Sequence, residues 1–382
     1  MIPFRSGKQF SSIFERRTIV DKAIQLLVGP TALPLRVLKA MSHEAFSHRG
    51  PYYQQIQHAV TEGMKAIFQT KNDVLMLTTS GTGAMEAVIQ NCFLPGDEVV
   101  IPVNGLFGEL FYEVAKGYSL AIKRVEFEYG TAADIREVMK HVTPRTKGVL
   151  LIHNESSTGV VNPIQEFGQA LKDTDALLIV DSVSGAGGIP IRMDDWHIDV
   201  IFTASQKALM SPPGLAFVAI GEKAWKKIEA VHNPRYFFNF LRDREYGRRN
   251  LTVHTPATHT MLAVYEALKM IGEEGLERVF ERHARNARLV REGMRELGFR
   301  IFAKDDAYAS PTLTTILAPG LAEYYVQELA KQNILVGAGK SSLKKNTFRV
   351  GTMGYVHKKD VRTFLMAMED IVKQTRKSAV MA

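Results

Sequence analysis

At 382 residues the chain is long enough for two domains and a large buried core. Hydrophobic residues make up 46% and charged residues 23%, and the single cysteine, Cys92, excludes an intramolecular disulfide and any zinc or iron–sulfur centre built on several thiolates. The net charge of +8 comes from basic residues spread along the sequence, with no Lys/Arg block interleaved with aromatics, so no nucleic-acid partner is indicated and an anionic cofactor or substrate suits the balance equally well.

No apolar run approaches membrane-spanning length, so no membrane partner is expected, and the sparse cysteine makes the cytoplasm the default compartment. Residues 1–25 read as an extended or helical arm. Its Arg5, Lys8, Arg16 and Arg17, set among serines, keep organelle targeting open, although Glu15 and the folded-looking sequence that follows argue against a transit peptide. LLVGPTALP (26–34) reads as a strand end broken by Gly29-Pro30 and Pro34, and a helix is expected from there to Phe46. The loop FSHRGPYY (46–53) gathers His48, Arg49 and two tyrosines, a mixture that suits the lining of a pocket. Ile56, Val60, Met64, Ile67 and Phe68 then keep helical spacing.

Beyond them the period changes. Seven short apolar runs, at 74–80, 98–103, 121–127, 148–154, 176–183, 200–205 and 215–220, read as strands. Helix-like segments at 82–93, 107–117, 131–141 and 163–172 separate most of them. Continuous apolar strands alternating with helices predict a seven-stranded, mostly parallel α/β sheet covered on both faces. Only a short turn joins the last two runs, so one of them is expected to pair antiparallel. After residue 256 the character shifts to amphipathic helices at 257–274 and 276–297. The strand candidates PTLTTILAP, ILVGAG and FRVGTMG follow, with helices near 321–332 and 358–376. The division expected is an arm (1–25), a large domain (26–256), a connecting helix (257–275) and a smaller α+β domain (276–382).

In open α/β sheets ligands sit at the C-terminal ends of strands, so the residues just after each run are the candidates. The stretch VIFTASQKALMSPPG ends a buried strand with Gln206 and Lys207 before a Pro-Pro-Gly turn. A lysine there either snorkels to water or has a task, and desolvation suits it to form a Schiff base with a carbonyl. Ser80-Gly81-Thr82-Gly83 ends the first run and opens a helix, which is either a capped turn or a phosphate cradle of backbone amides. Asp181 follows five apolar residues and can cap its loop or hold a protonated ring nitrogen. Ser156, Ser157 and Thr158 place hydroxyls after the fourth run, and His153 either stacks on a ring or fills space. Phe107, between glycines 105 and 108, packs in the core or stacks on a flat cofactor. Arg349, inside an apolar strand pattern, needs an anion: an internal carboxylate or that of a substrate.

Together these are the parts required to hold pyridoxal 5'-phosphate. With SGTGAMEA, NGLFG, HNESSTGVVNP, LLIVDSVSGAGG, SQKALMSPPG and FRVGTMG in this order, the chain resembles the class V, fold-type-I PLP-dependent aminotransferases, most closely their serine–pyruvate / alanine–glyoxylate branch. The resemblance runs from about Leu27 to the last helix. It implies that Lys207 carries the cofactor and moves the substrate proton, and that Asp181 pairs with the ring nitrogen. It implies that Ser80, Gly81, Thr82 and Gln206 hold the phosphate and that Ser156 lies near the ring oxygen. Phe107 would stack, and Arg349 would clamp the substrate carboxylate. Thr255, in His254-Thr255-Pro256, would reach the phosphate of a neighbouring subunit, which implies a homodimer with active sites at the interface. No metal is implied.

Two positions depart from the family pattern. Phe107 stands where relatives commonly carry Trp, and Thr252 where a Tyr often precedes the His-Thr-Pro step. The resemblance points to transfer of an amino group from serine or alanine to glyoxylate or pyruvate. Class V enzymes acting on phosphoserine, aminoethylphosphonate or ureidoglycine are alternatives, although a further anionic group calls for extra basic residues and only His48-Arg49 is visible. A desulfurase needs a mobile cysteine, and Cys92 sits at the far end of the helix that opens at the cradle. Relatives labelled as a hydrogenase subunit suggest a non-catalytic accessory role, and one cysteine leaves nothing to ligate nickel or clusters.

Overall fold

The computed structural model describes residues 23–380, so the basic residues of the expected arm, Arg5 to Arg17, lie outside the described residues. Strand β1 (Ile24–Leu26) is followed by β2 (Asp73–Leu77), β3 (Glu98–Val103), β4 (Ala121–Glu126) and β5 (Thr146–Ile152). A short hairpin, β6 (Asn154–Glu155) with β7 (Val160–Val161), leads to β8 (Leu177–Asp181), β9 (Val200–Ala204) and β10 (Ala216–Ile220). The chain closes with β11 (Arg300–Ile301), β12 (Leu313–Leu317), β13 (Ile334–Ala338) and β14 (Thr347–Gly351).

All seven apolar runs enter one sheet, in the order β2-β10-β9-β8-β5-β3-β4. Strand β10 runs antiparallel to both its neighbours and the other pairs are parallel. Burial on both faces explains the continuous apolar runs. Along β5 and β8, Val149, Leu151, Leu178 and Val180 pack into one core, while Leu150, Ile152, Leu177 and Ile179 pack into the other. Each such side chain contributes roughly 1.5–3 kcal/mol on burial, and the alternation pins the register because a one-residue slip would exchange the faces.

The second sheet has the order β1-β13-β14-β12-β11 and its own core of Phe348, Val350, Phe364 and Met368. Strand β1 joins it parallel to β13, so the chain crosses from this sheet to the large one through Val28, Gly29 and Pro30.

Two expected helices are shorter than their patterns. The helix after Pro34 ends at Ala40, because the Ser42 hydroxyl and amide both take the Lys39 carbonyl. The segment 131–141 forms a helix only over Ile135–Met139. Upstream of it, the Thr131 carbonyl accepts from Asn104 and the Ala133 amide donates to Asn162, so side chains hold that backbone before Asp134 caps the helix. Among the described residues no helix is long and apolar enough to cross a membrane.

Candidate active site

Five strand ends meet at one edge of the large sheet. The segments after β2, β3, β5, β8 and β9 line a cleft that encloses about 600 Å³ of free space, its open mouth included. Ser80, Gly81, Thr82, Phe107, Ser156, Asp181, Gln206 and Lys207 all contribute to its wall, so eight residues scattered over the sequence share one space.

Lys207 follows β9, and its half-buried side chain is held by the segment after β1. Its Nζ donates to the Val28 carbonyl at 2.6 Å, its own carbonyl accepts from Thr31 Oγ1 at 2.9 Å, and the Gln206 carbonyl accepts from the Thr31 amide. Burial pushes the amine down to about 8, with the Arg349 charge acting in the same direction and Asp181 opposing. The segment after β1 is fitted against this side chain: a Cβ on Gly29 would lie 2.5 Å from Lys207 Cδ and 2.8 Å from Nζ, and its φ of +104° disfavours other residues. Gly29→Ala is therefore expected to displace Lys207 and lower turnover at least about tenfold, beyond the roughly 1–3 kcal/mol of backbone strain. Steady-state kinetics alongside thermal unfolding separates the two effects.

Asp181 ends β8 and is 6% exposed. Its Oδ1 accepts from the Val183 amide at 2.8 Å. Burial pushes the carboxyl up to about 7, with the Glu155 charge adding to this and the Val183 amide and Lys207 opposing. Beside the β8 loop, Ser80 caps the helix Gly81–Cys92 by accepting from the Gly83 amide at 3.2 Å. A Cβ on Gly81 would lie 2.7 Å from Val183 Cγ2, so the glycine lets this helix start pack closely beside that loop.

Other candidates fall into place less simply. His153 is buried with Nδ1 2.9 Å from Ser182 Oγ, and burial pushes it down to about 3, so it is a neutral packing group behind the cleft. Arg349 lies beside the cleft wall, donating from Nη1 to the Ser156 carbonyl at 3.2 Å and from Nε and Nη2 to the Ala338 carbonyl. Thr255 is exposed and outside the wall. Arg49 donates to the carbonyls of Thr252 and Val253, which ties the 46–53 loop to the segment before Thr255. Cys92 is 2% exposed and burial pushes its thiol up to about 12, the opposite of a reactive thiolate. Lys340, not singled out in the sequence, places Nζ 4.8 Å from the centre of the Phe107 ring.

Sequence reasoning also passed over Asn154 and Val183 in the wall. Asn154 donates from Nδ2 to the Ser184 carbonyl, Ser184 Oγ and Thr312 Oγ1, which leaves its buried Oδ1 without a partner. Its position directly after His153 at a strand end was the available signal. Val183 had none.

A desolvated lysine and a buried carboxylate at the C-terminal ends of neighbouring parallel strands, beside a glycine helix start, suit a PLP-dependent enzyme of the fold-type-I class. Residues 28–364 match the family "Aminotransferase class-V", and the chain belongs to it. It is 37% identical over 361 residues to an uncharacterized aminotransferase of Methanocaldococcus jannaschii, with 92% of this chain and 93% of that protein covered. It is 35% identical to the "Soluble hydrogenase, small subunit" of Synechococcus sp., covering 93% of this chain and 94% of that one. The crystal structure of an alanine–glyoxylate aminotransferase from Nostoc sp. superposes with a TM-score of 0.87 at 28% identity, covering 94% and 98% of the two chains.

The class V fold is PLP-dependent, and the residues present fit that group. Gly81 and Thr82 at the helix start border the cleft, and Gln206 Oε1 and Asn154 Oδ1 are buried acceptors with no partner in the protein. Among the described residues no cluster of three or more His, Cys, Asp or Glu offers a metal site.

Proposed function

We propose that the chain moves the amino group of a small amino acid, serine or alanine, to a small 2-oxo acid, glyoxylate or pyruvate. The observation that carries this reading is Lys207, a buried amine lowered to about 8, in one cleft with Asp181 and the open helix start at Gly81. Pyridoxal phosphate, when bound, supplies an electron sink for the carbanion formed at the substrate's α-carbon. Lys207 Nζ would hold the cofactor covalently and, when released, would take the substrate's α-proton and return it. Asp181 keeps the ring nitrogen protonated. The amides of Gly81 and Thr82, the Ser80 hydroxyl and Gln206 hold the phosphate at the positive end of their helix. Ser156 borders the ring, Phe107 stacks on it, and Arg349 binds the substrate carboxylate through its planar fork.

Support for small substrates comes from the likeness to the Nostoc alanine–glyoxylate enzyme. The exposed Thr255 fits a contact to the phosphate of a second copy in a homodimer, and the sparse cysteine keeps the cytoplasm as the expected compartment. The large part of this reading is residues 26–256, joined by 257–275 to a smaller C-terminal unit, 276–382.

A half-reaction tests the proposal. L-alanine, L-serine or phosphoserine is added singly to the cofactor-loaded protein with no oxo acid. Loss of the visible cofactor band with one equivalent of pyruvate or hydroxypyruvate is the expected result. A response to phosphoserine alone would move the substrate assignment, and a colourless protein that takes up no added cofactor would favour the accessory role suggested by the name of the Synechococcus relative.

A further inference from the structure

The helix Leu106–Gly117 carries Phe107 in its first turn, yet its N-cap residue is Gly105, which has no side chain to satisfy the free amides. The acceptors come from elsewhere in the chain. Glu155 Oε2 accepts from the Phe107 amide at 3.0 Å and the Gly108 amide at 3.1 Å, while Ser157 Oγ accepts from the Leu106 amide at 2.9 Å. The other oxygen, Glu155 Oε1, accepts from the Ser157 amide at 3.1 Å and from Ser157 Oγ at 2.6 Å. Glu155 is 0% exposed, and a buried carboxylate is retained without large cost only when its oxygens are as fully engaged as these.

Gly105 is part of the same arrangement. A Cβ there would lie 2.3 Å from Glu155 Cγ and 2.4 Å from Cδ, so the glycine that removes the local cap is what admits the distant carboxylate. A serine or aspartate at 105 would cap this helix without any link to the cleft. The chain instead uses a residue whose neighbour, Ser156, lines the cleft and receives Arg349 Nη1 on its carbonyl.

We infer that Glu155 is a positioning residue: its carboxylate holds the first turn of the Phe107 helix and so sets the Phe107 ring against the cofactor plane. This rests on the stacking role given to Phe107 above. Glu155 is not part of the cleft wall and acts through the helix start alone.

The test uses Glu155→Gln, Phe107→Ala and the double variant, each prepared with and without cofactor. Two readouts are taken: the dissociation constant of pyridoxal phosphate from a titration of the cofactor-free protein, and the visible circular dichroism of the loaded protein. Phe107→Ala is expected to weaken cofactor binding about tenfold and to alter the dichroic band, as the loss of one aromatic stacking partner does. Glu155→Gln leaves one acceptor oxygen for four donors, so its NH2 must face either the Phe107 and Gly108 amides or the Ser157 amide, and it should do the same within about threefold. The double variant should be no weaker than Phe107→Ala alone, since coupled residues are not additive.

Lower thermal stability with an unchanged dissociation constant and dichroism would make Glu155 a structural cap and overturn the inference. Additive losses in the double variant would overturn it as well. If Phe107→Ala itself changes neither readout, the stacking assignment fails first, and that outcome is distinguishable because it appears without any change at Glu155. Should Glu155→Gln not fold, Ser157→Ala removes one donor to Glu155 and the acceptor for Leu106, and the same dichroic change at smaller amplitude is then expected. Its absence counts against the inference.

Discussion

Lys207→Ala is expected to reduce turnover on the order of 10⁴-fold, because one side chain both attaches the cofactor and moves the α-proton. The structure supplies the physical basis for both tasks. Burial lowers the amine to about 8, so a useful fraction is neutral and nucleophilic near physiological pH, whereas at the ordinary 10.5 almost none would be. The bond from Nζ to the Val28 carbonyl aims the amine, and the Asp181 charge offsets the effect of burial only in part. Borohydride reduction of the loaded protein followed by peptide mass analysis provides the check. The wild type should gain the reduced cofactor on the peptide containing Lys207, and the alanine variant should gain none. Retention of turnover within tenfold would remove Lys207 from the mechanism. The rate at which added cofactor becomes attached should rise with pH around a midpoint near 8. A midpoint near 10 would mean that the amine is better hydrated than its surroundings indicate.

The strands and the residues that follow them were legible because buried parallel strands leave continuous apolar runs, and polar residues that interrupt such runs stand out. Asp181 after LLIV and Lys207 after VIFTASQ are of this kind. The antiparallel placement of β10 was legible from the short turn before it. What was not legible depends on pairs far apart in sequence. The carbonyl that receives Lys207 belongs to Val28, 179 residues earlier, and Gly29 matters only because that lysine lies against it. Glu155 reads as one acidic residue in a polar segment until the fold brings it to a helix start 48 residues upstream. Gly81 likewise matters because Val183, 102 residues later, packs where a Cβ would sit. Helix lengths failed for a similar reason: side chains of Asn104 and Asn162 hold the backbone at 131–133 that periodicity alone assigned to a helix.

Asp181→Asn should lower turnover on the order of 10³-fold while leaving the cofactor-free protein as stable as the wild type, or more stable, above pH 7. The reason lies in the sign of its shift. The folded carboxyl is pushed up to about 7, chiefly by burial, whereas the unfolded chain releases that proton near 3.8. Between those values the folded protein binds more protons than the unfolded one, so this group's contribution to stability declines as pH rises through that window. Above pH 7 the whole penalty is present, on the order of a few kcal/mol, reduced by the Val183 amide and by Lys207. An amide of the same shape carries no such penalty and still accepts from Val183. It cannot keep a ring nitrogen protonated, so the stability is recovered at the expense of the chemistry, the usual relation at a functional site. Thermal unfolding of both cofactor-free proteins at pH 5 and pH 8 measures this directly. The variant's midpoint relative to wild type should rise between the two pH values by a few degrees. A fall instead would mean that the Asp181 carboxylate is favourably paired in the folded protein. Its buried charge would then stabilise the resting site, and the ring-nitrogen role would have to be argued from kinetics alone.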